Sequence, residues 1–166
     1  MASDTTSGAL PTAARLTFLA MVPVHLVVLV WGGFGHVVLA TCGGWMIFAY
    51  VLFVGPVLFV CLAITTVLSF FRRERPRTLP VPQVVTLWVV WLGLIVFGTF
   101  LADFGDVEGS QCSVLGDTSE QIGLSNVLAA SGLGVAGLAW VALTVLQAVG
   151  LARQGRTKHD PRMIAS

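Results

Sequence analysis

Three long stretches of this chain carry no Asp, Glu, Lys or Arg: 56 residues from Leu16 to Phe71, 25 from Thr78 to Ala102, and 32 from Gln121 to Ala152. An α-helix rises about 1.5 Å per residue, so a hydrocarbon layer about 30 Å thick takes roughly 20 apolar residues to cross. The second and third stretches each hold one crossing. As one helix the first would run about 84 Å, too long for a single crossing and suited to two joined by a hairpin. The expectation is an all-α membrane protein with four transmembrane helices. Composition agrees: 56% of residues are hydrophobic and 10% charged, with a mean hydropathy of +0.90, whereas soluble domains carry about 25% charged residues. Nine Lys and Arg with eight Asp and Glu cannot cover the surface of a soluble fold this size. That excludes a soluble globular domain and a disordered chain, and argues against a nucleic-acid partner.

The charges between the gaps set an expected sidedness. Residues 72–77 are strongly basic, and the C-terminal segment carries Arg153, Arg156, Lys158 and Arg162 against Asp160. The segment from Asp103 to Glu120 holds Asp103, Asp106, Glu108, Asp117 and Glu120, with no Lys or Arg. Short basic loops stay in the cytoplasm. Only an even number of crossings in the first gap puts Arg15, the basic loop and the C-terminal tail on one side. The expected fold is therefore a four-helix antiparallel transmembrane bundle in the cell (inner or plasma) membrane, with both termini cytoplasmic. Eight Arg against one Lys add a compositional hint of a bacterial gene.

The expected elements are a disordered tail over 1–14, helices over about 14–39, 45–71, 82–102 and 121–151, an external loop over 103–120, and a basic cytoplasmic tail over 153–166. Asp4 and the lack of a cleavage site argue against a secretory signal. Trp31-Gly32-Gly33-Phe34-Gly35 is expected to loosen the outer half of the first helix. Gly55-Pro56 predicts a kink in the second. Pro80-Val81-Pro82 suits a helix start, and Thr118 with Gln121 fits a capping box. Trp31 and Trp45 fall near the expected outer boundary, where tryptophan is enriched.

On the fourth helix Ser125, Ala129, Gly132, Ala136 and Ala139 recur at spacings of four and three, forming one small-residue seam that admits a close helix neighbour. Gly134 and Gly137 broaden it. Packing within the bundle and a homo-oligomer interface both remain open. Cys42 and Cys112 share the expected oxidising side, and a disulfide between them would tie the long loop to the first hairpin. Cys61, mid-span, suits a small buried apolar role. No Cys-x-x-Cys pair supports a thiol oxidoreductase.

His25 is the ionisable side chain placed well inside a span, and with Gln147 it forms the intramembrane polar candidate set. A polar contact to a neighbouring helix and a transport role are its two readings. His36, eleven residues on, is expected at the outer interface. A haem held by two histidines cannot be assembled within one chain, and Met21 and Met46 have no spacing that points to a second ligand. The acidic loop is expected to be solvated, since it lacks the ligand spacing of a calcium site. No nucleophile–base pair, phosphate loop or metal cluster is legible, so neither a cofactor nor a metal is expected. The leading expectation is a non-enzymatic accessory or structural subunit, contacting lipid and either a second copy or a larger membrane protein through helix 4 and the external loop. The alternatives are a small oligomeric transporter or channel subunit, and a membrane redox protein.

Overall fold

The computed structural model describes residues 9–40, 44–71, 79–104 and 111–157. They form four long helices, α1 (Ala9–Ala40), α2 (Trp45–Phe70), α3 (Val81–Phe100) and α4 (Ser119–Thr157). All four are long and apolar enough to cross a membrane. Among the described residues the only extended pairing is two isolated bridges in the segment between α3 and α4, Asp103 with Cys112 and Ser113 with Gly116.

Helix α1 begins at Ala9, so its first turn takes up part of the expected tail. Pro11 falls in that turn, where a missing N–H goes unused. Helix α4 runs on to Thr157, well into the expected basic tail. At its start the capping box forms. The Gln121 N–H donates to Thr118 Oγ1 at 3.3 Å, while Gln121 Oε1 accepts from the Thr118 hydroxyl at 2.9 Å and its N–H at 3.3 Å. Gly116, at φ +134°, turns the chain just before this cap, a conformation side chains disfavour.

At Gly55-Pro56, where a kink is expected, the structure has a π-helical turn over Tyr50–Val54, ending two residues before the proline. The ring of Pro56 crowds the carbonyl four residues back and offers it no N–H. A wider turn relieves both conflicts. It also presents Tyr50 to α1, where the phenol donates to the carbonyl of Leu29 at 2.6 Å.

The glycines of the Trp31–Gly35 run do not loosen α1, which is helical throughout. They provide a flat seat instead. A Cβ on Gly33 would stand 2.6 Å from the Tyr50 ring, and one on Gly35 would stand 2.8 Å from the carbonyl of Gly98 on α3. On the facing side, a Cβ on Gly98 would stand 2.7 Å from the Cα of Gly32. Two backbones meet here because neither carries a side chain.

The same device joins α3 to α4, the most extensive helix–helix contact. A Cβ on Gly93 would lie 2.7 Å from the carbonyl of Gly132, and one on Gly132 would lie 2.8 Å from the carbonyl of Gly93. Ser125, Ala129, Gly132 and Ala136 are buried along this line and Ala139 is half-buried; Leu143 and Gln147 extend it. The seam is thus occupied by α3 of the same chain. Around it Met21, Val28, Leu87, Val90, Leu94 and Leu143 make up the apolar centre. Gly134 and Gly137 do not broaden the seam, since nothing lies within 4 Å of where their Cβ would be.

Gly132 and Gly134 therefore make a matched test. Gly132→Ala forces two backbones apart and is expected to cost about 1–3 kcal/mol; Gly134→Ala is expected to cost nothing. Reversible unfolding of both variants in mixed micelles measures the difference.

Candidate functional site

Inside a bilayer no water satisfies a polar side chain, so each must find a partner within the protein. Three sets of described polar groups bridge helices along the bundle; Gln83, buried near the start of α3, stands outside them with Oε1 lacking a hydrogen-bond partner. The first lies at the end where α1 finishes and α2 begins. Here the Trp31 indole N–H donates to Thr99 Oγ1 at 3.1 Å, joining α1 to α3, and the Ser125 hydroxyl donates to the carbonyl of Phe100 at 2.7 Å, joining α4 to α3.

Between them lies Asp103, 4% exposed and fully enclosed by protein. Its Oδ1 accepts the N–H of Met46 at 3.1 Å and of Phe104 at 2.8 Å. Met46 is in the first turn of α2, which has no side-chain cap of its own and no acidic residue in that turn. Asp103 supplies both from across the bundle, setting a carboxylate against the positive end of the α2 dipole. Its backbone pairs with Cys112, N–H to carbonyl at 2.9 and 3.3 Å. One residue thus ties the end of α3, the start of α2 and the loop returning to α4.

The other oxygen, Oδ2, faces His36 Nε2 at 3.7 Å. That is ion-pair distance but beyond hydrogen-bond range, and neither Oδ2 nor either ring nitrogen of His36 has a hydrogen-bond partner. His36 is 1% exposed. The expectation of a solvated acidic loop is corrected at Asp103, which protein encloses; His36, near the end of α1, is enclosed beside it. Asp117 and Glu120 do lie in the open; Asp106 and Glu108 are outside the described residues. The sequence signal for Asp103 was its setting. It stands between Ala102 and Phe104, directly after the span, whereas Asp117 and Glu120 have polar neighbours. No such signal marked His36.

The second set is mid-span. His25, 6% exposed, has Nδ1 at 3.0 Å from Thr66 Oγ1. The same Thr66 hydroxyl lies 2.9 Å from the carbonyl of Leu62, so it bridges its own helix and the imidazole of α1. Trp91 of α3 meets the ring edge-on, with centroids 6.0 Å apart.

The third set joins α4 to α2. The Trp140 indole N–H donates to the carbonyl of Cys61 at 2.9 Å and to Thr65 Oγ1 at 3.1 Å. One heptad on, Gln147 Nε2 donates to Ser69 Oγ at 2.8 Å, while Ser69 donates to the carbonyl of Thr65 at 2.9 Å. Gln147 Oε1 has no partner. His25 and Gln147 do not meet: neighbouring Thr65 and Thr66 face different helices, and each holds one member of the candidate pair. Met21 and Met46 lie in separate packing clusters.

Cys61 is a free thiol, half-buried on α2. Cys42 and residues 72–77 are outside the described residues. Among the described residues no three His, Cys, Asp or Glu side chains gather at one point. Comparison with known families, curated proteins and solved structures found no match.

Two substitutions separate the capping role of Asp103 from its charge. Asp103→Asn keeps an oxygen for the Met46 and Phe104 amides, whereas Asp103→Ala abandons both. The alanine variant is expected to lose about 1–3 kcal/mol, with faster amide exchange at Met46 and Cys112; the asparagine variant should retain most of that protection. For Ser69 and Gln147, a double-mutant cycle with alanine is expected to return about 0.6–1.7 kcal/mol of coupling, read from unfolding in micelles.

Proposed function

We propose that this chain is a non-enzymatic accessory or structural subunit of a bacterial cell membrane, associating with another membrane-embedded chain through the outer face of α4 and the external loop. The observation that carries this reading is a second small-residue stripe on α4. Gly123, Ala130, Gly134 and Gly137 are its small members; with Val127 and Val141 between and beyond them, the line of six follows the four–three spacing of the buried seam, displaced by two residues. All six are exposed, and the three glycines have open space where a Cβ would be. Lipid makes no demand for small side chains, but a close helix neighbour does. The occupant proposed is a single transmembrane helix, from a second copy in the first instance.

An antiparallel arrangement with both termini in the cytoplasm goes with this proposal. Its support is the register of the clasps. Tyr50 and Thr66 of α2 meet Leu29 and His25 of α1 in reverse order, as do Gly93 and Phe100 of α3 with Gly132 and Ser125 of α4. The basic segments then share one side with the termini.

A Cys42–Cys112 disulfide belongs to the same reading. Gly44 packs against Asp103, its Cβ position 2.8 Å from Oδ1, and Asp103 pairs with Cys112. In the sequence Cys42 stands two positions before Gly44. Closing about 70 residues contributes roughly 4 kcal/mol, less strain. Mass spectrometry without reductant is expected to find the two cysteine peptides linked; a free Cys112 thiol in native membranes counts against the bridge.

The alternative, a small oligomeric transporter or channel subunit, draws support from the enclosed His36–Asp103 pair. Buried ionisable groups within membrane proteins mark ion or proton paths more often than they mark packing. Cross-linking and mild-detergent purification decide between the readings. With association as proposed, Gly134→Leu cuts recovery of the dimer or partner about tenfold and leaves unfolding unchanged. A strictly monomeric protein that carries proton flux in liposomes, lost in Asp103→Asn, would establish the alternative.

A further inference from the structure

The joint where α1 and α3 end and α2 begins encloses two groups that titrate. Asp103 and His36 are 4% and 1% exposed, with Oδ2 and Nε2 3.7 Å apart. Oδ2 and both imidazole nitrogens make no hydrogen bond. The other carboxylate oxygen is engaged: it holds the amides of Met46 and Phe104, while the Asp103 backbone pairs with Cys112. Of the other titratable side chains described at this end, Tyr50 of α2 is committed to the carbonyl of Leu29 and Cys112 lies on the segment paired with Asp103. Asp117 and Glu120 stand in the open. The start of α2 and the last turn of α3 carry no charge, so Asp103 is the charge against which His36 titrates.

A neutral imidazole is accommodated in this closed joint, but an imidazolium is not. It carries two N–H donors, and neither ring nitrogen has an acceptor within hydrogen-bond range. A buried charge is tolerated when it is both paired and hydrogen-bonded. Asp103 supplies the opposite charge at 3.7 Å but not the bond, which needs about 3.2 Å or less. Helix α1 cannot advance to close the distance, because Gly35 already abuts the carbonyl of Gly98. Moving the carboxylate instead draws it away from the Met46 and Phe104 amides, and leaving the gap strands the new charge until water enters. Either response to a proton loosens the joint. Opening then takes up a proton, so acid favours it and the closed form holds above the range in which histidine titrates.

We propose that His36 and Asp103 form a proton-operated latch. With His36 neutral, the joint holds together the end of α3, the start of α2 and the segment before α4; protonation of His36 releases them. The latch needs no proton to cross the membrane and does not depend on what the outer face of α4 binds.

The test follows backbone amide exchange in the full chain, ¹⁵N-labelled in phosphatidylcholine nanodiscs, at about pH 7.5 and pH 5.5, with each rate corrected for the intrinsic pH dependence of exchange. One proton taken up per opening changes protection by up to about tenfold per pH unit below the ordinary histidine value of about 6.5. The expected result is a fall of about tenfold at Met46 and Cys112 at the lower pH, with Leu94 in the apolar centre unchanged. In His36→Gln, which keeps a polar side chain but binds no proton, protection at those two amides should stay level. Exposed carboxylates such as Asp117 and Glu120 titrate below this range. Protection that stays level or rises with acid in the unaltered protein, or that falls as far in His36→Gln, overturns the proposal. Should the variant not fold, the His36 ring resonances of the unaltered protein decide. The latch requires them to titrate with the same midpoint as the loss of protection, and a different midpoint overturns it.

Discussion

The close approach of α3 to its neighbours is the constraint on which the rest of this bundle depends. Helix α3 is the shortest of the four and the most enclosed. It meets α4 where Gly93 faces Gly132 and meets α1 where Gly98 faces Trp31 and Gly32. In lipid the hydrophobic effect does not drive one apolar helix onto another, so van der Waals contact between backbones takes its place. Those contacts also set the helix spacing at which Trp31 can reach Thr99 and Ser125 can reach Phe100. A side chain at either crossing would separate these polar pairs along with the backbones.

Helix α2 is held differently. It has no glycine-to-glycine contact with α4; a ladder of polar groups spans the gap instead, with Trp140 and Gln147 donating to the face of α2 that carries Cys61, Thr65 and Ser69. Thr65 and Ser69 also bond back to their own helix, so their oxygens sit pinned as acceptors. At its start α2 borrows its cap from Asp103. The helix interrupted by a π turn is the one secured near both ends by hydrogen bonds from elsewhere.

Much of this was legible without coordinates. Charge-free stretches predict the number and approximate limits of the helices, because length and apolarity are local properties. Thr118 and Gln121 announce the start of α4 for the same reason: a capping box is built from residues three apart. The small-residue line from Ser125 to Ala139 was visible as a periodicity, and its continuation to Leu143 and Gln147 was not. What the periodicity could not say is which neighbour fills it, since a small-residue seam serves a helix of the same chain or of another equally well. The role of the Trp31–Gly35 run is hidden on similar grounds. Glycine weakens a helix by itself, and only the facing Tyr50 and Gly98 show that these glycines are contact surfaces.

The sequence by itself determined a chain that partitions into lipid as four apolar rods, because hydropathy and charge spacing act residue by residue wherever the rods end up. The tertiary structure alone decided which polar groups meet. Asp103 and His36 are 67 positions apart, and His25 and Thr66 are 41 apart; pairs so distant share no periodicity, and their meeting depends on helix rotation and register set by the glycine crossings. The same packing encloses one carboxylate of an acidic segment and leaves Asp117 and Glu120 in the open, a distinction that follows from what surrounds each group and not from its chemistry.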